Sequence, residues 1–262
     1  MQLLASAPPT TFAGVRLVLT DMDETLTYRG RLSARTYDAL ERLQDAGVLV
    51  IPVTAAPAGW CDQMARMWPV DGVIGENGGL FFRRSTDGHG VTRSFWHTDV
   101  KQSALAERLA AIGRAVLQAV PAARFADDQP FRLTSLAFAQ PDGASDRHAI
   151  LAALQAAGAE VTANNLWLLG WLGEYDKLAM TRRVLAEQYG LDIDAECGAV
   201  LYAGDSTNDA PMFGFFEHTV GVSTVRKYLH EIPIPPLWVT AGPGGDGFVE
   251  IADAVIAARA AR

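Results

Sequence analysis

Hydrophobic residues follow two textures along this chain. In the first, short apolar runs alternate with helical spacing. Residues 16–20 (Arg-Leu-Val-Leu-Thr) run straight into the polar burst Asp21-Met22-Asp23-Glu24-Thr25. That pattern predicts a buried parallel strand with acid at its carboxyl end. Ser33 is placed to cap a helix that carries Tyr37, Leu40 and Leu43 on one face, with Gly47 as its stop. A second buried strand is predicted over 48–53, ending at Thr54, then a helix around 61–67 and a third strand over 70–74. Strand, helix, strand, helix, strand implies right-handed crossovers and a parallel sheet.

The texture changes after Gly78-Gly79. Residues 80–84 and 94–97 flank a polar turn at 85–90 and predict a hairpin. Leu105, Leu109, Ile112 and Val116 mark an amphipathic helix. A strand over 133–139, a helix over 148–157 ended by Gly158, and one or two strands over 161–172 complete an α+β stretch. The parallel texture then resumes. A helix over 178–189 closes at Gly190, and a strand over 199–203 ends at Gly204-Asp205. Pro211 opens a short helix, strands follow over 219–222 and 237–240, and a last helix covers 247–258. The expected fold class is α/β: a doubly wound, Rossmann-like parallel-sheet core from 1–83 and 175–262, with an inserted α+β cap at 84–174.

Composition narrows this picture. A length of 262 residues allows one or two domains, and 49% hydrophobic with 20% charged residues excludes disorder. A net charge of −8 argues against a nucleic-acid or anionic-membrane binder. It also means that any phosphate handled here needs local positive charge. Two distant cysteines, Cys61 and Cys197, build neither a disulfide framework nor a thiolate zinc site. They are expected to be inert buried thiols in a cytoplasmic protein. Residues 1–9 lack the basic start and long apolar run of a signal peptide, and no apolar stretch is long enough to span a bilayer.

In open parallel sheets, ligands bind beyond the carboxyl ends of the strands. Three predicted strand ends carry polar groups: Asp21 with Asp23, Thr54, and Asp205 with Asn208 and Asp209. Residues two apart in extended chain point to one side, so Asp21 and Asp23 present their carboxylates together. Pooled carboxylates raise one another's pKa unless a cation or an ammonium neutralises them. An oxygen-rich, thiol-free cluster suits Mg²⁺, and Lys177 can supply the ammonium. Such a site supports phosphoryl transfer. An ionised carboxylate attacks phosphorus without a base, its neighbour shuttles a proton, and Thr54 donates to a phosphoryl oxygen. Asp-x-Asp alone, or Asn208 and Asp209 alone, could equally be turn and cap residues.

Together these segments resemble the haloacid dehalogenase-like (HAD) phosphohydrolases. Asp21 to Thr27 looks like the family's first motif, Thr54 at a strand end like the second, Lys177 like the third, and Gly204-Asp205-Ser206-Thr207-Asn208-Asp209 like the fourth. They stand in family order and cover nearly the whole chain. The resemblance implies Asp21 as nucleophile and Asp23 as general acid/base, its backbone carbonyl also on Mg²⁺. It implies Asp205 as metal ligand, with Asn208 and Asp209 supporting the metal and Lys177. The insert resembles the type IIB cap, and Glu76-Asn77-Gly78-Gly79 is similar to that branch's Glu-Asn-Gly-Ala segment. Residues 204–213 look closest to the branch's sugar-phosphate phosphatases, such as the mannosyl-3-phosphoglycerate, sucrose-phosphate and trehalose-phosphate enzymes. Two departures stand out: Thr54-Ala55-Ala56 where many relatives read Thr-Gly-Arg, and Glu24 where a small residue, often Gly, is usual.

The expectation is therefore a Mg²⁺-dependent phosphatase of a sugar phosphate or phosphorylated sugar acid, working through an aspartyl-phosphate. Its partner is a small phosphorylated molecule, not nucleic acid or membrane. A phosphomutase of the same superfamily and a catalytically silent sugar-phosphate-binding protein are the alternatives. Asn164, Asn165, Trp167, Trp171 and Glu174 either line a sugar pocket or form an aromatic-packed strand. His97 and His148 are expected at the surface, and Arg182-Arg183 on a solvated helix face.

Overall fold

The structure is a computed structural model and describes residues 1–164 and 166–260, with the backbone alone for residues 99–101. The first part of the chain forms β1 (Gln2–Leu3), β2 (Leu17–Thr20), β3 (Thr27–Tyr28), β4 (Arg31–Leu32), α1 (Ala34–Asp45), β5 (Leu49–Pro52), α2 (Ala58–Met67), β6 (Val73–Gly75), β7 (Leu80–Arg84) and β8 (Val91–Phe95). Next come α3 (Asp99–Ala119), β9 (Ser135–Ala139), α4 (Ala144–Ala156), β10 (Glu160–Ala163) and β11 (Trp167–Trp171). The last part holds α5 (Lys177–Tyr189), β12 (Val200–Gly204), α6 (Ala210–Phe215), β13 (His218–Gly221), β14 (Trp238–Val239) and α7 (Gly244–Ala260).

Six parallel strands form the main sheet in the order β1-β14-β13-β12-β2-β5. The chain leaves β2 toward β5 on one side and returns to β12 on the other. The crevice beyond β2 and β12 is therefore a topological switch point, where such sheets bind ligands. Thr20 registers with Ala203 and with Pro52, so Asp21, Thr54 and Asp205 emerge from one edge. Helix α1 forms as its sequence demands. Ser33 Oγ accepts from Thr36 N at 3.1 Å, Ala39, Leu40 and Leu43 are buried, and Gly47 takes φ 70° after the last turn. Two apolar clusters fill the space on the sheet's faces.

The insert has a core of its own. Leu105, Leu109 and Val116 of α3 and Ile150 and Leu154 of α4 pack on Phe138 and Leu168, over the antiparallel sheet β10-β11-β9. The hairpin β7-β8 packs elsewhere: Leu80 and Phe82, with the half-buried Val91 and Phe95, join the main core. The expected third parallel strand also differs. β6 touches the parallel sheet through the Val53–Ile74 bridge and otherwise pairs antiparallel with β7. The chain turns back there because Glu76 and Asn77 take left-handed φ values of 48° and 57°. Two short features had no sequence signal: β1 on the sheet edge beside β14, and the hairpin β3-β4 just past the acidic segment.

Glu76 ties the two parts together. Fully buried, it accepts from Ala58 N (3.0 Å) and Leu133 N (2.9 Å) on Oε1. On Oε2 it accepts from Thr134 N (2.8 Å), Thr134 Oγ1 (2.8 Å) and Ser135 Oγ (2.7 Å). One carboxylate thus holds both the start of α2 and the segment leading into β9. This is why the predicted strand over 133–139 begins only at Ser135. Gly79 sits so close that a Cβ there would meet Thr134 Oγ1 at 2.1 Å. Glu76→Gln should lower unfolding free energy by about 2 kcal/mol in urea titration, because an amide NH₂ would face donors that now need acceptors.

Candidate active site

The site begins one residue past the end of β2. Asp21 N donates to Ala203 O at 2.8 Å, which locks Asp21 to the neighbouring strand. Lys177, first residue of α5, is 3% exposed. Its Nζ donates to Asp21 Oδ1 at 2.6 Å and to Asp209 Oδ1 at 2.7 Å. Asp176, which precedes it, caps α5 by accepting from Ala179 N at 2.7 Å. The ammonium is thus aimed by a capped helix start.

Asp209 is fully engaged. Its Oδ1 accepts from Lys177 and from Tyr202 Oη at 2.5 Å, and its Oδ2 from Asp205 N at 2.9 Å and Ser206 N at 3.2 Å. Ser206 and Asp209 form a reciprocal capping box that shapes the turn after β12. Asp209 therefore fixes Lys177 and the 205–206 turn together. Asn208 Oδ1 accepts from Ser206 Oγ at 2.7 Å.

Asp21, Asp205 and Asp209 each bring an oxygen within 4.8 Å of the others, a spacing that could hold one divalent cation. A cavity of about 120 Å³ opens beside them, lined by Asp21, Asp23, Asp205, Ser206, Asn208 and Asn164, with Glu24 and Ala55 at its edge. Thr54 lies just behind it. It is fully buried, its Oγ1 accepts from Ala56 N at 3.0 Å, and its backbone is held by Ile74 O and Asn77 N.

The electrostatics are out of balance. Burial pushes the Asp21 carboxyl up to about 7; Lys177 opposes the rise, and Asp209 and Asp23 add to it. Asp23, although partly open to the cavity, is raised to about 6 by the same loss of solvent, again opposed by Lys177. Asp205 is raised well above the usual range by burial and by Asp21 and Asp209. Burial alone would lower Lys177, but Asp209 and Asp21 outweigh it and hold the ammonium charged. One buried ammonium cannot keep four neighbouring carboxyls ionised, and a bound divalent cation would supply the missing charge.

The other predicted residues separate clearly. Asn164 lines the cavity, whereas Trp167 and Trp171 are buried and Trp171 Nε1 donates to Tyr175 O at 3.0 Å. Trp167 packs against Trp60 and the Arg132 guanidinium, whereas Trp171 packs on Tyr175 and also lines a neighbouring cavity of about 210 Å³ with Lys177 and Asn208. Glu174 is exposed, and Asn165 lies outside the described residues. His97 is not a free surface residue: it is half-buried, and its Nε2 meets Leu172 O at 2.8 Å. Nor are the two arginines merely solvated, since Arg182 pairs with Asp194 at 2.7 Å and Arg183 donates to Trp96 O at 3.0 Å. Cys61 is buried with its thiol pushed well up by burial, whereas Cys197 is half-buried. Sequence reasoning missed Tyr202, and it noted Glu76 only as part of a motif, without its role in holding the insert. Tyr202 reads as an ordinary apolar strand residue, and only its place two before Gly204 could have suggested that it faces Asp209.

A parallel sheet with acids pooled at its switch point defines a doubly wound α/β protein with a candidate cation site. The haloacid dehalogenase-like hydrolase family matches residues 18–103, the segment that carries Asp21, Asp23 and Thr54. A protein of Thermoplasma acidophilum has a similar structure (TM-score 0.71, 19% identity, covering 93% of this chain and 99% of that one). So does the sucrose-phosphatase of Synechocystis, solved with sucrose and phosphate (TM-score 0.65, 14% identity, 91% and 97%). The C-terminal domain of the trehalose-6-phosphate phosphatase of C. albicans is similar too (TM-score 0.66, 13% identity, 95% and 96%). No curated protein matches the sequence. Over residues 18–103 this chain is therefore similar to the haloacid dehalogenase-like hydrolases, and over nearly its whole length it shares the fold of these solved structures. No helix among the described residues is long and apolar enough to cross a membrane.

Lys177→Met should destabilise the metal-free protein by about 3 kcal/mol, because two buried carboxylates lose their counter-charge. Denaturant titration after chelation measures it, and an unchanged midpoint would contradict the central place given to this ammonium.

Proposed function

We propose that this chain is a Mg²⁺-dependent phosphatase that hydrolyses a phosphate monoester through an aspartyl-phosphate on Asp21. The observation that carries the reading is the geometry around Asp21: Lys177 at 2.6 Å, Asp23 two residues on, and a small acid-lined cavity in front of both. Asp21, whose ionised form Lys177 favours, attacks phosphorus as a carboxylate, and the bond to the leaving alcohol oxygen breaks as Asp23 passes it a proton. Water then attacks the acyl phosphate, Asp23 takes the water's proton, and phosphate and free Asp21 result. Thr54 Oγ1 accepts from Ala56 N, which leaves its hydroxyl hydrogen for a phosphoryl oxygen. Asp21 and Asp205, with Asp23 and Asn208 beside them, are the groups to hold Mg²⁺; Asp209, with both oxygens engaged, holds Lys177. When bound, Mg²⁺ offsets the charge that the phosphate brings against the carboxylates.

A sugar phosphate or phosphorylated sugar acid is the proposed substrate class. Likeness to the sucrose- and trehalose-6-phosphate phosphatases supports it, as do the amide and hydroxyl groups of Asn164, Ser206 and Asn208 at the cavity. The insert acts as the cap in this reading, from α3 to β11, since β8 packs with the main core. Its Asn164 and Leu166 already line the cavity.

Three measurements test the proposal. Asp21→Asn should abolish phosphate release from p-nitrophenyl phosphate and from sugar phosphates; retained release would sink the nucleophile, and isomerised sugar phosphate in place of free phosphate would indicate a mutase. Asp23→Asn should slow a sugar phosphate at least tenfold more than p-nitrophenyl phosphate, about the scale of one proton transfer, since nitrophenolate leaves with little help from an acid. Equal losses on both would remove Asp23 from that role. Mg²⁺ should raise the melting temperature, with a stabilisation of about 2.7 kcal/mol at a hundredfold excess over its Kd. Asp205→Asn should lose most of that shift, and a shift of undiminished size would place the ion elsewhere.

A further inference from the structure

A second, larger cavity adjoins the acid-lined one. Its volume is about 440 Å³, against about 120 Å³ for its neighbour. Asp23, Gly30 and Leu166 line both, so the two meet at the carboxyl read as the proton donor to the leaving oxygen. Whatever departs from phosphorus past Asp23 faces this space.

Its wall is apolar. Met22, Leu32, Met64, Trp60, Trp68 and Leu166 supply most of it. Beyond Asp23, the polar side chains are Thr27 and Gln63. The Thr27 hydroxyl accepts from Glu24 N at 3.2 Å and donates to Met22 O at 3.4 Å. The Gln63 amide nitrogen lies 3.5 Å from Met67 Sδ. The cavity is half open, so a polyol here would keep water on its outer side, but the hydroxyls turned to the wall would find few partners, which costs free energy for each. An apolar group meets no such cost, and ligand cavities of this size are commonly lined this way. Trp60 and Leu166 are large apolar side chains left 41% and 46% exposed at this wall, so an occupant would also take apolar protein surface out of water.

We propose that the substrate is the phosphate monoester of an alcohol bearing an apolar arm, alkyl or aryl, and that the arm lies in this cavity against Trp60, Met64 and Trp68. The inference rests on the phosphatase reading, with Asp23 as the leaving-group acid. It deepens that reading: any sugar portion stays near Asn164 and Asn208, and the larger cavity selects for what the sugar or alcohol carries.

Hexyl phosphate, ethyl phosphate and glucitol 6-phosphate test it, assayed with Mg²⁺ on the full chain. The two alkoxides have similar basicity, so the ratio of their kcat/KM values reads the cavity rather than the chemistry. Hexyl phosphate should exceed ethyl phosphate by about tenfold or more, given the methylenes it buries, and should also exceed glucitol 6-phosphate. Trp60→Ala should cut the hexyl-to-ethyl ratio by about fivefold, while Trp60→Phe keeps most of it. Calorimetric titration of both alkyl esters into Asp21→Asn protein should show the same preference without turnover. A ratio near one, a preference for the glucitol ester, or a ratio unmoved by Trp60→Ala overturns the inference. If ethyl phosphate is hydrolysed at a ratio near one, the phosphatase reading stands and this inference alone fails. If no ester releases phosphate but hexyl phosphate binds tighter than ethyl phosphate, the phosphatase reading fails and the apolar ligand site stands.

Discussion

A single buried ammonium organises this protein. Lys177 is reached by Asp21 from β2 and by Asp209 from the turn after β12, so two strands and the start of α5 converge on one atom. The arrangement is self-bracing. Tyr202 and the N–H groups of Asp205 and Ser206 occupy what Lys177 leaves of Asp209, so the anchor has no spare acceptor to lose. The cost is a surplus of buried negative charge, visible in the raised carboxyls of Asp21, Asp23 and Asp205. The same surplus makes the site selective. Surplus negative charge disfavours a bare anion there, and a divalent cation would offset it. The net charge of −8 says nothing of this, because the decisive charges are a handful in one crevice.

Glu76 is the second constraint and works by the opposite means. There a buried carboxylate is satisfied by five neutral donors rather than by a direct ion pair, with the Arg132 guanidinium one hydroxyl away through Ser135 Oγ. Through it the Thr54 loop, the start of α2 and the entry to β9 share one set of hydrogen bonds. Asn77 N also donates to Thr54 O, and Glu76 N to Ala56 O. The position of Thr54 behind the cavity is therefore set partly by the insert.

Much of this was legible in the sequence, for a physical reason. The parallel strands are buried on both faces and end where polar residues must begin, so 16–20, 48–53 and 199–203 announced both the strands and the edge that gathers Asp21, Thr54 and Asp205. Helix signals such as Ser33, Gly47 and Gly190 are local chemistry and read equally well. What stayed hidden depends on distant partners. β1 is too short to carry a pattern and exists because β14 offers an edge. The strand over 70–74 joins β7 because of left-handed backbone at Glu76 and Asn77, residue types for which sequence gives little warning. The Trp167–Trp171 strand reads the same whether its rings pack or line a pocket; only tertiary contacts separate the two. Glu24 is instructive. Sequence noted the charge that replaces a usual small residue, and the structure adds a backbone reason for the small residue. Glu24 takes φ 59°, a conformation that favours glycine, and its carboxylate accepts from Arg29 N at 2.7 Å.

The second departure from the family pattern, Thr54-Ala55-Ala56, resolves in a similar way. No guanidinium follows Thr54 in sequence, yet one lies behind that loop in space. Arg132, buried in the insert, donates to Ala55 O at 3.0 Å, pairs with Asp128 at 2.7 Å and lies 4.9 Å from the Trp167 ring centre. Its charge lowers the Asp23 carboxyl while that of its partner Asp128 raises it, so the pair leaves the rise that burial imposes there largely in place. Arg132 does not line the acid-lined cavity, so it acts on that site through the loop and the field, not through contact. A residue supplied by the insert thus helps set the shape of the Thr54 loop, and any shift of the insert would carry Ala55, which lines the acid-lined cavity, with it.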